Sequence, residues 1–212
     1  MFCASLADVF DNHGSITSGW RGDLWHLIHR TPHLDWLLLT KRPQNIAKML
    51  PEGYGAPAWG DGWPNVWLGT TVENQTEAER RIPHLLSVPA KVRFLSCEPL
   101  LGPVDLTAIE RTGGETGFMR PLDGRFHWII AGGESGPGAR PMHPDWARDL
   151  RDQCAAAGTP FLFKQWGEWA PRYDGVGREY TLRVGKKSAG RLLDGVLHDG
   201  FPDALRGEVS YG

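Results

Sequence analysis

Short apolar runs recur along the chain, each closed by a polar or ionisable residue and followed by a loop or a helical stretch. Phe2 to Leu6 reads as a strand running into Asp8, and Trp36 to Leu39 as a buried strand followed by Thr40-Lys41-Arg42. Val66 to Val72 closes on Glu73, Val92 to Ser96 on Glu98-Pro99, Trp128 to Ala131 on Gly132 to Gly136, and Phe161 to Lys164 on Gln165. Uninterrupted apolar runs of this length suit strands covered on both faces.

Helical spacing fills the intervals. Asp23 to Arg30 predicts a helix that stops at Thr31-Pro32, because a residue before proline avoids the helical region. Pro43 suits the first helical position, with Ile46, Ala47 and Leu50 on one face. Asn74 and Glu77 have capping spacing for the next helix, which Pro83 should kink or restart. From Pro144, the residues Trp146, Leu150, Cys154 and Ala157 form a helical stripe that Gly158 ends. Residues 51–64 read as a Gly/Pro/Trp-rich loop. Residues 102–125 read as a long connection with a weak helix signal from Leu106 to Arg111. Residues beyond 170 read as a β-hairpin or an extended cover. Alternating strands and helices predict an α/β fold with a mostly parallel sheet, as in an incomplete (β/α) barrel. The expected division is a partial barrel over residues 1–170 and an irregular C-terminal extension, 171–212, packed on it.

Composition narrows the function classes. The 212 residues are 41% hydrophobic and 23% charged with a formal net charge of -2, which excludes nucleic-acid binding through bulk charge. Ten tryptophans fill a core or line a pocket. The three cysteines, Cys3, Cys97 and Cys154, form no CxxC pair and no disulfide framework, so a cytoplasmic location is expected. No apolar run approaches the roughly 18 residues of a membrane span, and Met1 to Ala7 does not read as a signal peptide. Gly185-Lys186-Lys187-Ser188 lacks the upstream glycine of a phosphate loop. His26, His29 and His33 are interrupted by Pro32, and no metal site is expected.

Candidate chemistry lies in the residues that close the strands. In a parallel sheet these ends share one face, where barrel enzymes and open α/β sheets place their sites. Glu98, Glu134 and Lys164 are the candidate catalytic residues. Lys41, Arg42, Glu73, Gly132, Gly133, Ser135, Arg140, Gln165 and Trp166 are the candidate ligand-binding residues. Carboxylates, cations and amides in this register suit a small polar ligand of both charge signs. The glycines let a backbone approach it closely.

At these strand ends the chain resembles the phage and bacterial three-cysteine-motif proteins, a family of unknown function. The matching stretches are Phe2-Cys3-Ala4-Ser5-Leu6-Ala7-Asp8-Val9-Phe10, Leu39-Thr40-Lys41-Arg42-Pro43 and Asn65-Val66-Trp67-Leu68-Gly69. They continue with Arg93 to Gly102, Gly132 to Pro141, Phe163-Lys164-Gln165-Trp166-Gly167, and Gly185-Lys186-Lys187 through Leu193-Asp194-Gly195. The resemblance implies a radical-SAM-like barrel of phage or prophage origin. In the full-length family an upstream cysteine triplet would hold a [4Fe–4S] cluster that binds S-adenosylmethionine. It also implies that Ile129-Ile130-Ala131-Gly132-Gly133-Glu134 is similar to the adenine-contact region of the fifth strand.

This sequence departs from that pattern. Met1 falls where the second strand would begin, and no cysteine triplet is present, so the chain is expected to lack the cluster segment and to be inactive alone. An unpaired Phe2–Leu6 edge would favour self-association. A second reading is a cluster-free module binding a nucleotide, nucleic acid or host protein through Trp166, Trp169, Lys41, Arg42, Arg140 and Lys164. A third is a hydrolase or lyase on a plain barrel, with Glu98 and Glu134 as acid and base.

Overall fold

In the computed structural model, residues 1–3, 7–53, 55–110 and 118–202 are described. Six of the apolar runs form one parallel sheet whose spatial order follows the chain. Its strands are β1 (Phe2–Cys3), β2 (Trp36–Thr40), β3 (Val66–Thr71), β4 (Val92–Cys97), β7 (Trp128–Gly132) and β8 (Phe161–Gln165). The sheet curls into half of a barrel. The expected first strand is described only over Phe2–Cys3, and Ala4 to Leu6 lie outside the described residues. No helix among the described residues is long and apolar enough to cross a membrane.

Three helices cover the outer face: α1 (Ser18–Arg30), α2 (Gln75–Leu86) and α3 (Pro144–Ala157). Leu38, Leu68, Leu95, Ile129 and Phe163 point outward and pack with Ile28, Ile82, Leu85 and Leu150 into the main core. The alternate residues point inward. Leu37, Trp67, Phe94, Trp128 and Ile130 make a second, smaller apolar cluster on the inner face. Gly69 belongs to that inner row, and a Cβ there would lie 2.4 Å from the Phe94 ring, so the missing side chain is what admits the ring.

Local chemistry explains most element ends. Asn74 accepts from the Glu77 amide at 3.1 Å, the expected cap of α2. Gly158 takes φ 66° at the end of α3, where glycine avoids the left-handed penalty. Other expectations need correction. The α1 helix starts at Ser18, capped by Thr17, earlier than Asp23. The Pro43 segment is a 3-10 helix, Pro43–Lys48, that leaves Ala47 exposed. The α2 helix does not restart at Pro83. On α3 the buried positions are Ala147, Leu150 and Cys154, and Ala157 is exposed.

The weak helix signal at Leu106–Arg111 gives way to β5 (Ile109–Glu110), paired antiparallel with β6 (Phe118–Met119); Arg111 lies outside the described residues. Asp105 caps the Thr107 amide and hydroxyl at 2.8 and 2.6 Å, a local turn that competes with helix formation there.

Beyond the sheet, β9 (Trp169–Tyr173) and β10 (Glu179–Arg183) form an antiparallel hairpin, followed by a one-turn helix, α4 (Lys186–Ala189). Arg148 on α3 binds Glu179 at 2.8 Å and Asp194 at 2.7 Å, and Arg151 also binds Asp194 at 2.7 Å. These pairs fasten the hairpin and the following turn to the outer helix layer. Residues 198–200 then run antiparallel along the outer edge of β8. The Phe163 amide donates to His198 O and the Gly200 amide to Phe161 O, both at 2.9 Å. Phe201 turns onto the inner face against Trp67 and Trp128, at centroid distances of 5.4 and 5.1 Å. One sheet edge is thus covered, and β1 forms the other.

Candidate functional site

The C-terminal strand ends gather polar groups on the inner face of the curl, in three linked clusters. The first centres on Asp8. Its Oδ2 accepts from the Thr40 hydroxyl at 2.9 Å, the Lys41 amide at 3.1 Å and the Arg42 guanidinium at 3.2 Å. Arg42 reaches Asp11 as well, at 3.2 Å. The Thr40-Lys41-Arg42 turn is therefore held to the loop after β1.

The second cluster centres on Glu73, which is buried at the end of β3. Its Oε1 accepts from Lys41 Nζ at 2.8 Å and its Oε2 from Arg81 at 2.5 Å. Arg81 on α2 is also buried and donates to the Thr71 carbonyl and hydroxyl, both at 2.9 Å. Burial pushes the Glu73 carboxyl upward, but the Lys41 hydrogen bond and the Arg81 and Lys41 charges outweigh it. The net shift is below the ordinary carboxylate value.

The third cluster joins β4 to β8. Glu98 pairs with Lys164 at 3.2 Å and accepts from the Ser96 hydroxyl at 3.2 Å. Gly132, between them on β7, has no room for a side chain, since a Cβ would stand 2.7 Å from Glu98 Oε1. Glu98 and Lys164 therefore sit across a glycine floor.

The 133–140 loop is built around close backbone approach. A Cβ on Gly133 would lie 1.9 Å from the Trp166 carbonyl oxygen, and one on Gly167 2.0 Å from that of Glu134. Glu134 clamps Arg140 through both oxygens at 2.8 Å and also caps the Arg140 amide. These hydrogen bonds from Arg140 hold the Glu134 carboxyl down to about 2. Ser135 accepts from Gln165 Nε2 at 3.0 Å. Both oxygens of Glu134, one member of the expected Glu98–Glu134 acid–base pair, are thus engaged by Arg140.

Trp166 is not on this face. It is buried in the outer core against Phe163, with ring centroids 4.9 Å apart, and its indole N–H donates to Leu192 O at 2.8 Å. Its ring, 3% exposed, borders a different cavity, lined also by Arg148, Tyr173 and Asp194. The Trp169 N–H is committed to Ala139 O at 2.7 Å. Of the residues read from the sequence, Lys41, Glu73, Glu98, Gly132 and Lys164 come together on the inner face, with Arg42 beside Asp8. Glu134, Ser135, Arg140 and Gln165 form the adjoining loop.

Cavities open on the inner face on either side of Phe2. The larger, about 460 Å³, is lined by polar groups including Asp8, Asp11, Thr40, Lys41, Arg42 and Thr71. The smaller, about 230 Å³, has Phe2, Trp128, Ile130 and Leu162 as walls, with Glu98, Lys164 and Arg191 at its rim. Sequence reading missed Phe2, Arg81 and Arg191. Arg81 lies one helical turn from the Glu77 capping position, and a basic residue on the buried face of a helix is the signal that could have found it.

The cysteines do not suit an iron–sulfur cluster. Cys97 and Cys154 are fully buried, and burial raises both thiols, Cys154 to about 12. Cys3 is half-buried and also raised by burial. A cluster needs thiolates, and among the described residues no three His, Cys, Asp or Glu side chains gather to hold a metal.

Parallel strands in chain order, helices on the outer side and polar strand ends on the inner side define an α/β protein of the half-barrel type. The chain belongs to the family described as protein of unknown function (DUF5131), whose model matches residues 1–202. Comparison with curated proteins and with solved structures gives no match.

Proposed function

We propose that the inner face of the half-barrel is a ligand site of the radical-SAM type, shaped for a small zwitterionic ligand of the S-adenosylmethionine class. The observation that carries this reading is the pair of carboxylate–lysine bridges on the inner face, Glu73–Lys41 between neighbouring strands β3 and β2, and Glu98–Lys164 across β7. A ligand bearing an ammonium and a carboxylate can exchange with both partners of such bridges, so neither protein charge is left bare. The polar cavity beside Lys41 and Arg42 takes the amino-acid end. The phage or prophage origin that the resemblance implies belongs to the same reading.

This reading concerns ligand binding at the strand ends and does not draw on Cys3, Cys97 or Cys154. The alternative, a cluster-free module binding a nucleotide, nucleic acid or host protein, loses Trp166 from its contact set because that ring is buried, and keeps the half-buried Trp169, whose N–H alone is engaged. The test is calorimetric titration with S-adenosylmethionine. We expect saturable binding that weakens at least tenfold in Lys41→Met and in Glu98→Gln. Absence of binding at millimolar ligand, or binding indifferent to both substitutions, refutes the proposal.

A further inference from the structure

We infer that the smaller cavity on the inner face is an adjoining subsite, sharing the Glu98–Lys164 bridge with the site proposed above, for an aromatic carboxylate, an aryl ring on a short chain ending in a carboxylate. The inference rests on reading this face as a ligand site, but it concerns the lobe on the other side of Phe2. At about 230 Å³ the cavity lies below the roughly 300–1,000 Å³ of sites for drug-sized ligands, so its occupant is a single ring with a short tail.

The walls select a ring. Phe2 and Trp128 line the cavity, and Phe94 joins them in a row, with centroid distances of 6.0 Å to Phe2 and 6.2 Å to Trp128. Ile130 and Leu162 complete the apolar lining. The Trp128 indole is fixed in advance, because its N–H donates to Gly200 O at 2.7 Å and Phe201 packs against it. A ring entering here meets edges and faces already in place, which limits the ordering cost of binding.

The rim selects the charge. It carries two cations, Lys164 and Arg191, and one carboxylate, Glu98. Glu98 is already engaged by Lys164 and by the Ser96 hydroxyl. An ammonium on the ligand would meet that engaged carboxylate and two positive groups. Lys164 and Arg191 are about half exposed, at 58% and 45%, and among the described residues each has a single carboxylate partner, Glu98 and Asp199. Both keep donors available for an incoming carboxylate.

The probe is 3-phenylpropionate, with 3-phenylpropylamine as its charge-reversed counterpart, measured by calorimetry and by ligand-observed saturation-transfer NMR. The carboxylate should bind at least tenfold more tightly than the amine. Ile130→Trp and Leu162→Trp fill the cavity from two walls and should each weaken it at least tenfold; far-UV circular dichroism and the urea midpoint confirm folding. Lys164→Met and Arg191→Met should each weaken the carboxylate without strengthening the amine more than slightly. Equal binding of the two probes overturns the charge assignment. Undiminished binding in both folded tryptophan variants, or no binding of the carboxylate at 10 mM (roughly −2.7 kcal/mol by affinity arithmetic), overturns the site. Titration with S-adenosylmethionine on the same protein separates the two proposals. If it binds while phenylpropionate does not, only the subsite falls; the reverse result removes the adenosylmethionine reading and leaves the subsite.

Discussion

Replacing Arg81 by methionine tests whether the ion-pair lattice under the strand ends is built as described. Arg81 and Glu73 are only 6% and 8% exposed, so their bridge lies in a low-dielectric setting. Removing one member of a buried pair costs about 3–5 kcal/mol, because the surviving charge stays buried. Here Lys41 remains on the other oxygen of Glu73, and methionine restores much of the apolar volume. Both features place the expected loss near the lower end, about 3 kcal/mol. For a chain of this size that corresponds to a fall in Tm of roughly 6–12 °C. Glu73→Gln in the Arg81→Met background removes the stranded carboxylate and should recover part of the loss.

The pH dependence has a definite sign. The folded Glu73 carboxyl titrates below its ordinary value of 4.5, so the unfolded chain binds its proton first as pH falls. The bridge contributes fully above about pH 4.5 and is lost as pH drops through the lower folded value. Urea unfolding of wild type and Arg81→Met at pH 7 and pH 3.5 measures this. The gap between them should be large at pH 7 and smaller at pH 3.5. A variant within 0.5 kcal/mol of wild type at pH 7, on a scale where surface substitutions fall within about ±0.5 kcal/mol, would refute the lattice as the source of stability.

Trp166→Ala should lose about 3–5 kcal/mol in urea unfolding, as for a buried aromatic truncated in a core; an unchanged midpoint would place the ring on the surface. Gly133→Ala drives a Cβ onto the Trp166 carbonyl, with no rotamer to relieve it, and should cost about 3 kcal/mol or more by the same measurement. Arg140→Ala should raise the Glu134 carboxyl from about 2 toward its ordinary value of 4.5, followed by side-chain carboxyl NMR. With Ellman's reagent at pH 8, Cys97 and Cys154 should stay unreactive in the native protein and react in guanidinium; rapid native labelling of either contradicts their burial.

Much of this architecture is legible in the sequence because the six strands are apolar runs bounded by loops. Trp36 to Leu39 and Val66 to Val72 have no reasonable alternative to burial on both faces. The Asn74 cap and the Gly158 stop act locally and were equally readable. Trp166 was misplaced for a specific reason. Between β7 and β8 the pairing slips, so that Ala131 faces Phe163 but Gly132 faces Gln165. Lys164 is the extra residue, and such a bulge reverses the alternation beyond it. Trp166 therefore joins Phe163 on the outer face, although simple alternation from Lys164 would have turned it toward the ligand side. Arg81 and Arg191 escaped notice because the partners that define their places, Glu73 and Asp199, lie 8 residues away, across a turn that only tertiary folding closes; the i,i+4 pair of Arg81 with Glu77 reads as an ordinary surface pair.

The strap of residues 198–201 gives the molecule a direction in time. A sheet whose spatial order is its chain order can grow on the ribosome one strand at a time, since each new strand finds its partner already made. The outer edge of β8 stays open until residues 198–200 emerge, and Trp128 lacks its lid until Phe201 follows. An interrupted translation product ending before residue 198 would present an uncovered β8 edge beside an uncapped aromatic floor, the kind of surface that chaperones and proteases recognise. The strap thereby closes the β8 edge and the aromatic floor in one step, after the last sheet strand is in place.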